Sequence, residues 1–427
     1  MKLRVPGDKS ITQRALILAT LAEGESHLTG LLPAEDPRST AAALRALGGG
    51  IPTLPSDGSE VRIRGLGLRG LRAPPGPLDL GNSGTGARLL LGVLAAQEFS
   101  SVVTGDSSLR SRPMGRVAQP LQAMGADFGW LQEPGHLPVE IRGGRALRSV
   151  DLDLPVASAQ VKSALLLAGV ASGVPVLLTE PGRSRDHTER MLTGAGAPVL
   201  SHVRGPGRRV ELRDPPGALR PLEMTVPGDP SSATFPVLAA LLGVGCGEVT
   251  VEGVGLNPTR TGMVELFRRM GGAVVLEVAG EEGGEPVGTL AARSSDLRAV
   301  EVTEADVVAA IDELPAIAVA AARAEGTTRI TGAGELRVKE TDRIRALVEN
   351  LRAVGVRCEE LDDGLEVEGT DAPLRGRVDP RHDHRIAMVF GVLAAQAGND
   401  IEVEGREVVE VSFPGFWRFL EELRRHG

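Results

Sequence analysis

Val226-Pro227-Gly228-Asp229-Pro230-Ser231-Ser232-Ala233 repeats, with small changes, Val5-Pro6-Gly7-Asp8-Lys9-Ser10-Ile11-Thr12. Both copies run from a short β-type segment through a Gly-Asp-x-Ser turn into an apolar helix, and they stand about half a chain apart. The chain therefore reads as two similar halves. The Asp and Ser of such a turn can cap the helix and leave its first N–H groups facing outward, so each copy is also a seat for an anion.

Outward from these two copies the pattern recurs. Segments of small or polar residues followed by Ala/Leu/Val runs begin near Asp8, Asn82, Ser158, Asp229, Asp312 and Asp383, spaced by roughly 70 to 85 residues. Each run predicts a helix apolar along most of its surface, as a helix buried on all sides must be. A second helix, with Arg and Glu on one face, is predicted in each unit over 40–47, 115–124, 188–192, 262–270, 341–354 and 416–424. Short alternating stretches such as Val61-Arg62-Ile63-Arg64 and Leu365-Glu366-Val367-Glu368 read as strands that close the units. The expectation is an α/β protein of six β-α-β-α-β-β units, three per domain, with inner helices covered by outer sheets. Domain I takes 1–13 and 227–427, domain II takes 14–226, and the two crossings form a hinge.

Composition narrows the function. A chain of 427 residues with 42% hydrophobic content has ample core for two domains. Cys246 and Cys358 lie in unrelated contexts, which predicts neither a disulfide framework nor a zinc site and points to the cytoplasm. The opening residues lead straight into a turn without an apolar leader, and the longest apolar run, 164–178, is broken by Gly, Ser and Pro, so neither export nor a membrane span is expected. A net charge of -9 argues against a general nucleic-acid or anionic-membrane binder. Anionic ligands must be met by local basic clusters. Of 47 basic residues only Lys2, Lys9, Lys162 and Lys339 are lysines, and three of these lie in the motifs below. Those places ask for a compact ammonium that a planar guanidinium does not replace.

Several motifs carry possible chemistry. Lys9, Ser10 and Arg14 put an ammonium, a hydroxyl and a guanidinium on one helix entry, which is either a phosphate seat or a capped helix with a solvated Arg. Gly81-Asn82-Ser83-Gly84-Thr85-Gly86-Ala87-Arg88 is glycine-rich enough for backbone N–H groups to approach an oxyanion, yet lacks a Walker ending. Arg112, before a helix expected to start at Pro113, is an anion clamp or a surface charge. Ser158-Ala159-Gln160-Val161-Lys162 and Arg185-Asp186-His187-Thr188-Glu189 are hydrogen-bonding clusters or simple caps and charges. Lys339 and Arg343 stand at i,i+4 with Glu340 beside them, a spacing at which two cations repel unless an anion lies between. Asp312-Glu313 opens an otherwise apolar helix, as a cap or as a carboxylate set up for acid/base work. Arg385 holds the matching place in the sixth unit, and His382-x-His384 lacks a third ligand of metal-site spacing. These residues share helix entries, so positive dipole ends would gather in each half and face one another across the hinge.

In this order and over nearly the whole chain, Gly7-Asp8-Lys9-Ser10, Gly81-Asn82-x-Gly84-Thr85, Arg112-Pro113-Met114, Ser158-Ala159-Gln160, Leu336 to Arg343 and Asp383 to Met388 resemble the motifs of the 5-enolpyruvylshikimate-3-phosphate synthase family. The resemblance implies an inside-out α/β barrel of two domains closing over shikimate 3-phosphate and phosphoenolpyruvate, with no metal or organic cofactor, in a monomer that uses neither nucleic acid nor membrane. It implies that Lys9, Ser10, Arg14, Ser158, Gln160, Arg185, Asp312 and Lys339 hold shikimate 3-phosphate. Phosphoenolpyruvate falls to Lys9, Gly84, Arg112, Arg343 and Arg385. Asp312 matches the residue that takes the 5-hydroxyl proton, Glu340 the one that protonates the methylene carbon and later removes a proton, and Lys9 joins them as catalytic. The Ser158 to Lys162, Arg185-x-His187-x-Glu189 and Asn257-Pro258-Thr259-Arg260 segments are similar to the family's class II. Val411 stands where many class I members carry a phosphoenolpyruvate-binding Lys, and Gly84 lacks the methyl group that narrows the glyphosate space in tolerant members. The rivals are the UDP-N-acetylglucosamine enolpyruvyl transferase, which would show Lys-Asn in place of Lys9-Ser10, and an RNA-end-processing or non-catalytic scaffold of the same repeat.

Overall fold

A helix apolar on every face needs neighbours on every face, and the chain supplies them. In the computed structural model, which describes residues 1–425 apart from Pro206 and Cys246, the helix Ala159–Ser172 is buried without a break from Val161 to Ala171. Pro230–Leu241 and Leu314–Ala321 are buried at every position. Lys9–Leu21, Gly84–Ala95 and His384–Ala395 lose almost all of their surface as well. Each fully buried Leu or Ile there contributes roughly 1.5–3 kcal/mol of transfer free energy. Small residues set the spacing. A Cβ on Gly92 would lie 2.1 Å from the Ala164 carbonyl oxygen, so the helices Gly84–Ala95 and Ala159–Ser172 meet backbone to backbone there.

The second helices are amphipathic. Gly262–Arg269 buries Met263, Val264, Leu266 and Phe267 and leaves its arginines at the C-terminal end, where they also favour the helix dipole. The expected start at Thr40 moves back to Glu35, because Glu35 and Asp36 suit the first turn of Glu35–Ala46, and the expected start at Thr341 moves forward to Arg343, because Asp342 caps that helix.

The strands form six small sheets among the described residues, giving a mixed α/β structure. Five contain a parallel pair joined to an antiparallel one, for example Leu78–Asp79 parallel to Ser101–Thr104, which pairs antiparallel with Val139–Arg142. The sixth is the parallel pair Arg375–Val378 and Asp400–Val403.

The chain divides into two compact units. Unit 1 holds Met1–Pro6, Pro227–Glu281 and Pro286–Gly427, and unit 2 holds Gly7–Val226 with Glu282–Glu285. Each has its own continuous apolar core. The first crossing lies at Pro6/Gly7 and not after residue 13, which would cut the helix Lys9–Leu21. The pairing explains the crossings at Pro6/Gly7 and Val226/Pro227. Lys2–Leu3 lies parallel to Glu248–Gly255 in unit 1, while Glu223–Thr225 lies parallel to Glu25–Thr29 in unit 2. Each Val-Pro-Gly-Asp copy therefore leaves a strand in one unit and starts a helix in the other. Gly7 is required at the first: a Cβ there would lie 2.0 Å from the Gly30 carbonyl oxygen. Cys358 is a half-buried free thiol whose pKa burial pushes up, and Cys246 falls outside the described residues.

Candidate active site

In unit 2 three buried helices bring their N-terminal ends together. Asp8 caps the first by accepting from the Ile11 N–H at 2.8 Å, Ser83 caps the second through the Gly86 N–H, and Ser158 caps the third through the Val161 N–H. Side chains of the first two turns tie the ends to one another. Gln13 donates to Ser83 Oγ at 2.5 Å, Arg88 to Gln160 Oε1 at 2.8 Å, and Arg14 to Ser163 Oγ at 3.1 Å. Each helix end carries about half a positive charge, so three of them make a place for anions in a chain of net negative charge.

Cations surround that place. Lys9 Nζ is 2.9 Å from Asp36 Oδ2, and both are largely buried. Arg112 donates to Asn82 Oδ1 at 2.5 Å, and Asn82 in turn donates to Asp106. Gly84 lies between two guanidinium groups: a Cβ there would stand 3.1 Å from Arg112 Nη1 and 3.2 Å from Arg88 Nη1. Ser10 sits part-exposed in the first helical turn, and Arg185 lies in the loop before the helix His187–Gly194.

Arg14 is buried. Its guanidinium is turned inward, donating to the Ser10 carbonyl, Thr188 Oγ1 and Ser163 Oγ, so it is not the solvated Arg of a plain capped helix. Burial lowers its pKa to about 10, against the pull of Asp8 and Glu189 and with the push of Arg185. Arg112 differs slightly from its expected place. It ends the short helix Ser107–Ser111, and the next helix begins at Gly115, after Pro113 and Met114.

In unit 1 the other three buried helices converge in the same way. Ser231 donates to Glu313 Oε1, and Arg385 donates to the Asp312 carbonyl at 3.0 Å. The Asp of the turn does the capping, with Asp229 accepting from the Ser231 N–H, while the Ser231 hydroxyl is left for Glu313. The cap Asp383 follows two non-glycine residues in the left-handed region, Arg381 and His382, a strain of roughly 1–3 kcal/mol each that the surrounding structure must hold. His384 is the buried first residue of its helix and His382 is exposed in that turn.

Arg343 is the hub. Its side chain is 1% exposed and reaches Asp383 Oδ2 at 2.6 Å, Glu340 Oε2 at 2.6 Å and Asp312 Oδ1 at 3.4 Å. Burial alone would lower its pKa, but Asp383, Glu340 and Asp312 outweigh that and raise it. Asp312 faces two more cations, Lys339 Nζ at 4.0 Å and Arg385 Nη2 at 3.9 Å. Lys339 and Arg343 do not share a helix. Lys339 ends the 3-10 turn Gly334–Val338 in extended conformation, and Arg343 opens the next helix after the cap Asp342. Both cations face the carboxylate of Asp312, an anion between them that relieves their repulsion.

A family description for EPSP synthase (3-phosphoshikimate 1-carboxyvinyltransferase) matches residues 1–420. The chain belongs to the EPSP synthase family. The 3-phosphoshikimate 1-carboxyvinyltransferase of Alkalilimnicola ehrlichii is 50% identical over 415 residues, 97% of this chain and 91% of that protein. The enzyme of the same name from Acidithiobacillus ferrooxidans is 49% identical over 412 residues, 96% of this chain and 92% of that one. Among solved structures, EPSP synthase from Acinetobacter baumannii superposes with a TM-score of 0.86 at 42% identity, covering 99% of this chain and 95% of that one. The enolpyruvyl transferase NikO from Streptomyces tendae, at 18% identity, shares the fold with a TM-score of 0.73 over 99% of this chain and 94% of that one.

Within this EPSP synthase family chain, sequence reasoning passed over Asp36, Arg88, Asp383 and Ser231 as site residues. Arg88 and Ser231 lie inside the motifs quoted above, and Asp383 reads as a helix start. Asp36 carried no signal, since nothing in its own neighbourhood announces a partner 27 residues away.

Proposed function

We infer that the chain transfers the 1-carboxyvinyl group of phosphoenolpyruvate to the 5-hydroxyl of shikimate 3-phosphate and releases phosphate, a step of aromatic amino acid biosynthesis. The observation that carries this reading is the pair of anion seats built from converging helix ends, one of them with Asp312 and Glu340 both tied to the buried Arg343.

Two anionic substrates need cations, and an addition–elimination needs acid and base on different atoms. Asp312 takes the proton of the 5-hydroxyl as its oxygen attacks C2 of phosphoenolpyruvate, while Glu340 delivers a proton to C3, so the double bond becomes a methyl group in a tetrahedral adduct. Glu340 then removes a methyl proton, the double bond re-forms, and the C2–O bond to phosphate breaks with its electrons leaving on phosphate. Lys9, Arg112, Arg343 and Arg385, with the backbone at Gly84, stabilise the phosphoenolpyruvate carboxylate and the departing phosphate. Lys9, Ser10, Arg14, Ser158, Gln160, Arg185, Asp312 and Lys339 hold shikimate 3-phosphate, with the Arg14 guanidinium braced by the Ser10 carbonyl and Thr188.

The same reading takes the fold as an inside-out α/β barrel of six β-α-β-α-β-β repeats, three per domain, with a hinge where the chain crosses between Pro6 and Gly7 and between Val226 and Pro227. The enzyme works as a cytoplasmic monomer without nucleic acid. A coupled phosphate-release assay tests it. Phosphate should appear only when both substrates are present, and release with UDP-N-acetylglucosamine in place of shikimate 3-phosphate, or no release at all, overturns the assignment.

A further inference from the structure

Lys162 has no part in either ligand set, yet it is the most deeply buried of the lysines described, with a side chain 1% exposed. An isolated ammonium there would cost several kcal/mol. Two carboxylates offset that cost: Glu180 Oε2 at 2.7 Å and Glu189 Oε1 at 2.8 Å. An adjacent residue on each helix repeats the link, with Ser163 Oγ 2.6 Å from Thr188 Oγ1. Arg14 donates to both hydroxyls, at 3.1 and 2.7 Å. The helices Ala159–Ser172 and His187–Gly194 are thus cross-linked twice by consecutive residues, within a turn of the ends that carry Ser158, Gln160 and Arg185. The loop bearing Arg185 is pinned at its other side too, where Ser184 Oγ donates to Glu180 Oε1 at 2.5 Å.

We propose that Lys162 and Glu189 are positioning residues for shikimate 3-phosphate, their buried ion pair fixing the distance between Ser158 and Gln160 on one helix and Arg185 ahead of the other. The proposal rests on the ligand set given above. Its physical reason is size. A compact ammonium with three donors reaches two carboxylates inside a closed space, whereas a planar guanidinium needs more volume and a different approach. In a chain whose other cations are nearly all arginine, a lysine at this place holds a short spacing. Burial also pushes the Glu189 pKa up, against the pull of Lys162.

The test is steady-state kinetics on the full chain carrying Lys162→Arg, Lys162→Met or Glu189→Gln, with Gln160→Ala and Arg185→Ala as reporters of the ligand set. Positioning predicts a rise of about tenfold in KM for shikimate 3-phosphate in Lys162→Arg and Glu189→Gln, with KM for phosphoenolpyruvate and kcat within about threefold of the parent. Lys162→Met strands two buried carboxylates. If it does not fold, Glu189→Gln, which keeps the shape and removes the charge, decides alone. An unchanged KM in Glu189→Gln, or a loss in which kcat and both KM values move together in step with the melting temperature, overturns the positioning role. An unchanged KM for shikimate 3-phosphate in Gln160→Ala and Arg185→Ala overturns the ligand set and the proposal with it. A raised KM in those two beside a normal Glu189→Gln overturns the positioning role alone.

Discussion

Arg343 Nε stands 2.6 Å from Asp383 Oδ2, and neither side chain is more than 1% exposed. Asp383 also caps its own helix by accepting from the Arg385 N–H at 2.9 Å. One carboxylate therefore orients two arginines, Arg343 through its side chain and Arg385 through the start of its helix. Breaking a buried pair by removing one charge leaves the other uncompensated, at a cost of roughly 3–5 kcal/mol. Asp383→Asn keeps a capping oxygen but loses the charge, so it should lower the melting temperature and reduce kcat/KM for phosphoenolpyruvate by about 10²-fold. Thermal melts beside steady-state kinetics check this, and a variant with parental kinetics would remove Asp383 from the positioning of Arg343.

Glu340 sits 2.6 Å from Arg343 Nη2 with its side chain 22% exposed, held but open to a substrate. Glu340→Gln keeps a hydrogen-bond acceptor for Arg343 and removes the transferable proton. Titration calorimetry should find shikimate 3-phosphate binding within about threefold of the parent, while turnover falls by roughly 10²–10⁴-fold. Unchanged turnover would take Glu340 out of the acid/base role.

Gly84→Ala places a methyl group 3.1 Å from Arg112 Nη1 and 3.2 Å from Arg88 Nη1, closer than nearly all real contacts of this kind. Both neighbours are the far ends of flexible side chains, so the backbone can stay and the guanidinium groups must give by a few tenths of an ångström. Misplacing an anion clamp by such a shift should raise KM for phosphoenolpyruvate by roughly two- to tenfold. The inhibition constant of glyphosate should rise more. Equal changes in both constants, or none, would count against a role for this space in telling the two ligands apart.

Glu189 gives a stability prediction with a definite sign. Burial raises its pKa in the folded protein, and Lys162 only partly opposes this. A raised folded pKa contributes stability that is fully present below the unfolded value and is lost as pH rises through the folded one. Glu189→Gln abolishes that loss. Its urea midpoint, compared with the parent's, should therefore improve steadily as pH is raised from the acid side through the raised pKa of Glu189, and a constant difference across that range would contradict the burial cost assigned to this carboxylate.

Much of this was legible in the residues. Buried helices announce themselves by being apolar on every side, so Lys9–Leu21, Gly84–Ala95, Ala159–Ser172, Pro230–Leu241, Leu314–Ala321 and His384–Ala395 begin within a residue or two of the places their caps predict. Capping is a local matter of one side-chain oxygen and the N–H groups two or three residues on, and sequence records it directly. The short helices Ser107–Ser111 and Glu304–Ala310 leave no mark in the pattern, since five to seven residues give too little periodicity to read.

Sequence by itself determined where the buried helices start, which of them carry cations at their entries, and, through the likeness of its motifs, the family to which the chain belongs. Tertiary structure alone decided which charges meet. Arg14 turns inward to Thr188 across 174 residues, Lys162 finds Glu180 and Glu189, and Lys339 joins Arg343 at Asp312. Helix formation depends on neighbours within a turn, whereas an ion pair in a core depends on which distant side chain the packing places within about 3 Å, and no local pattern carries that information.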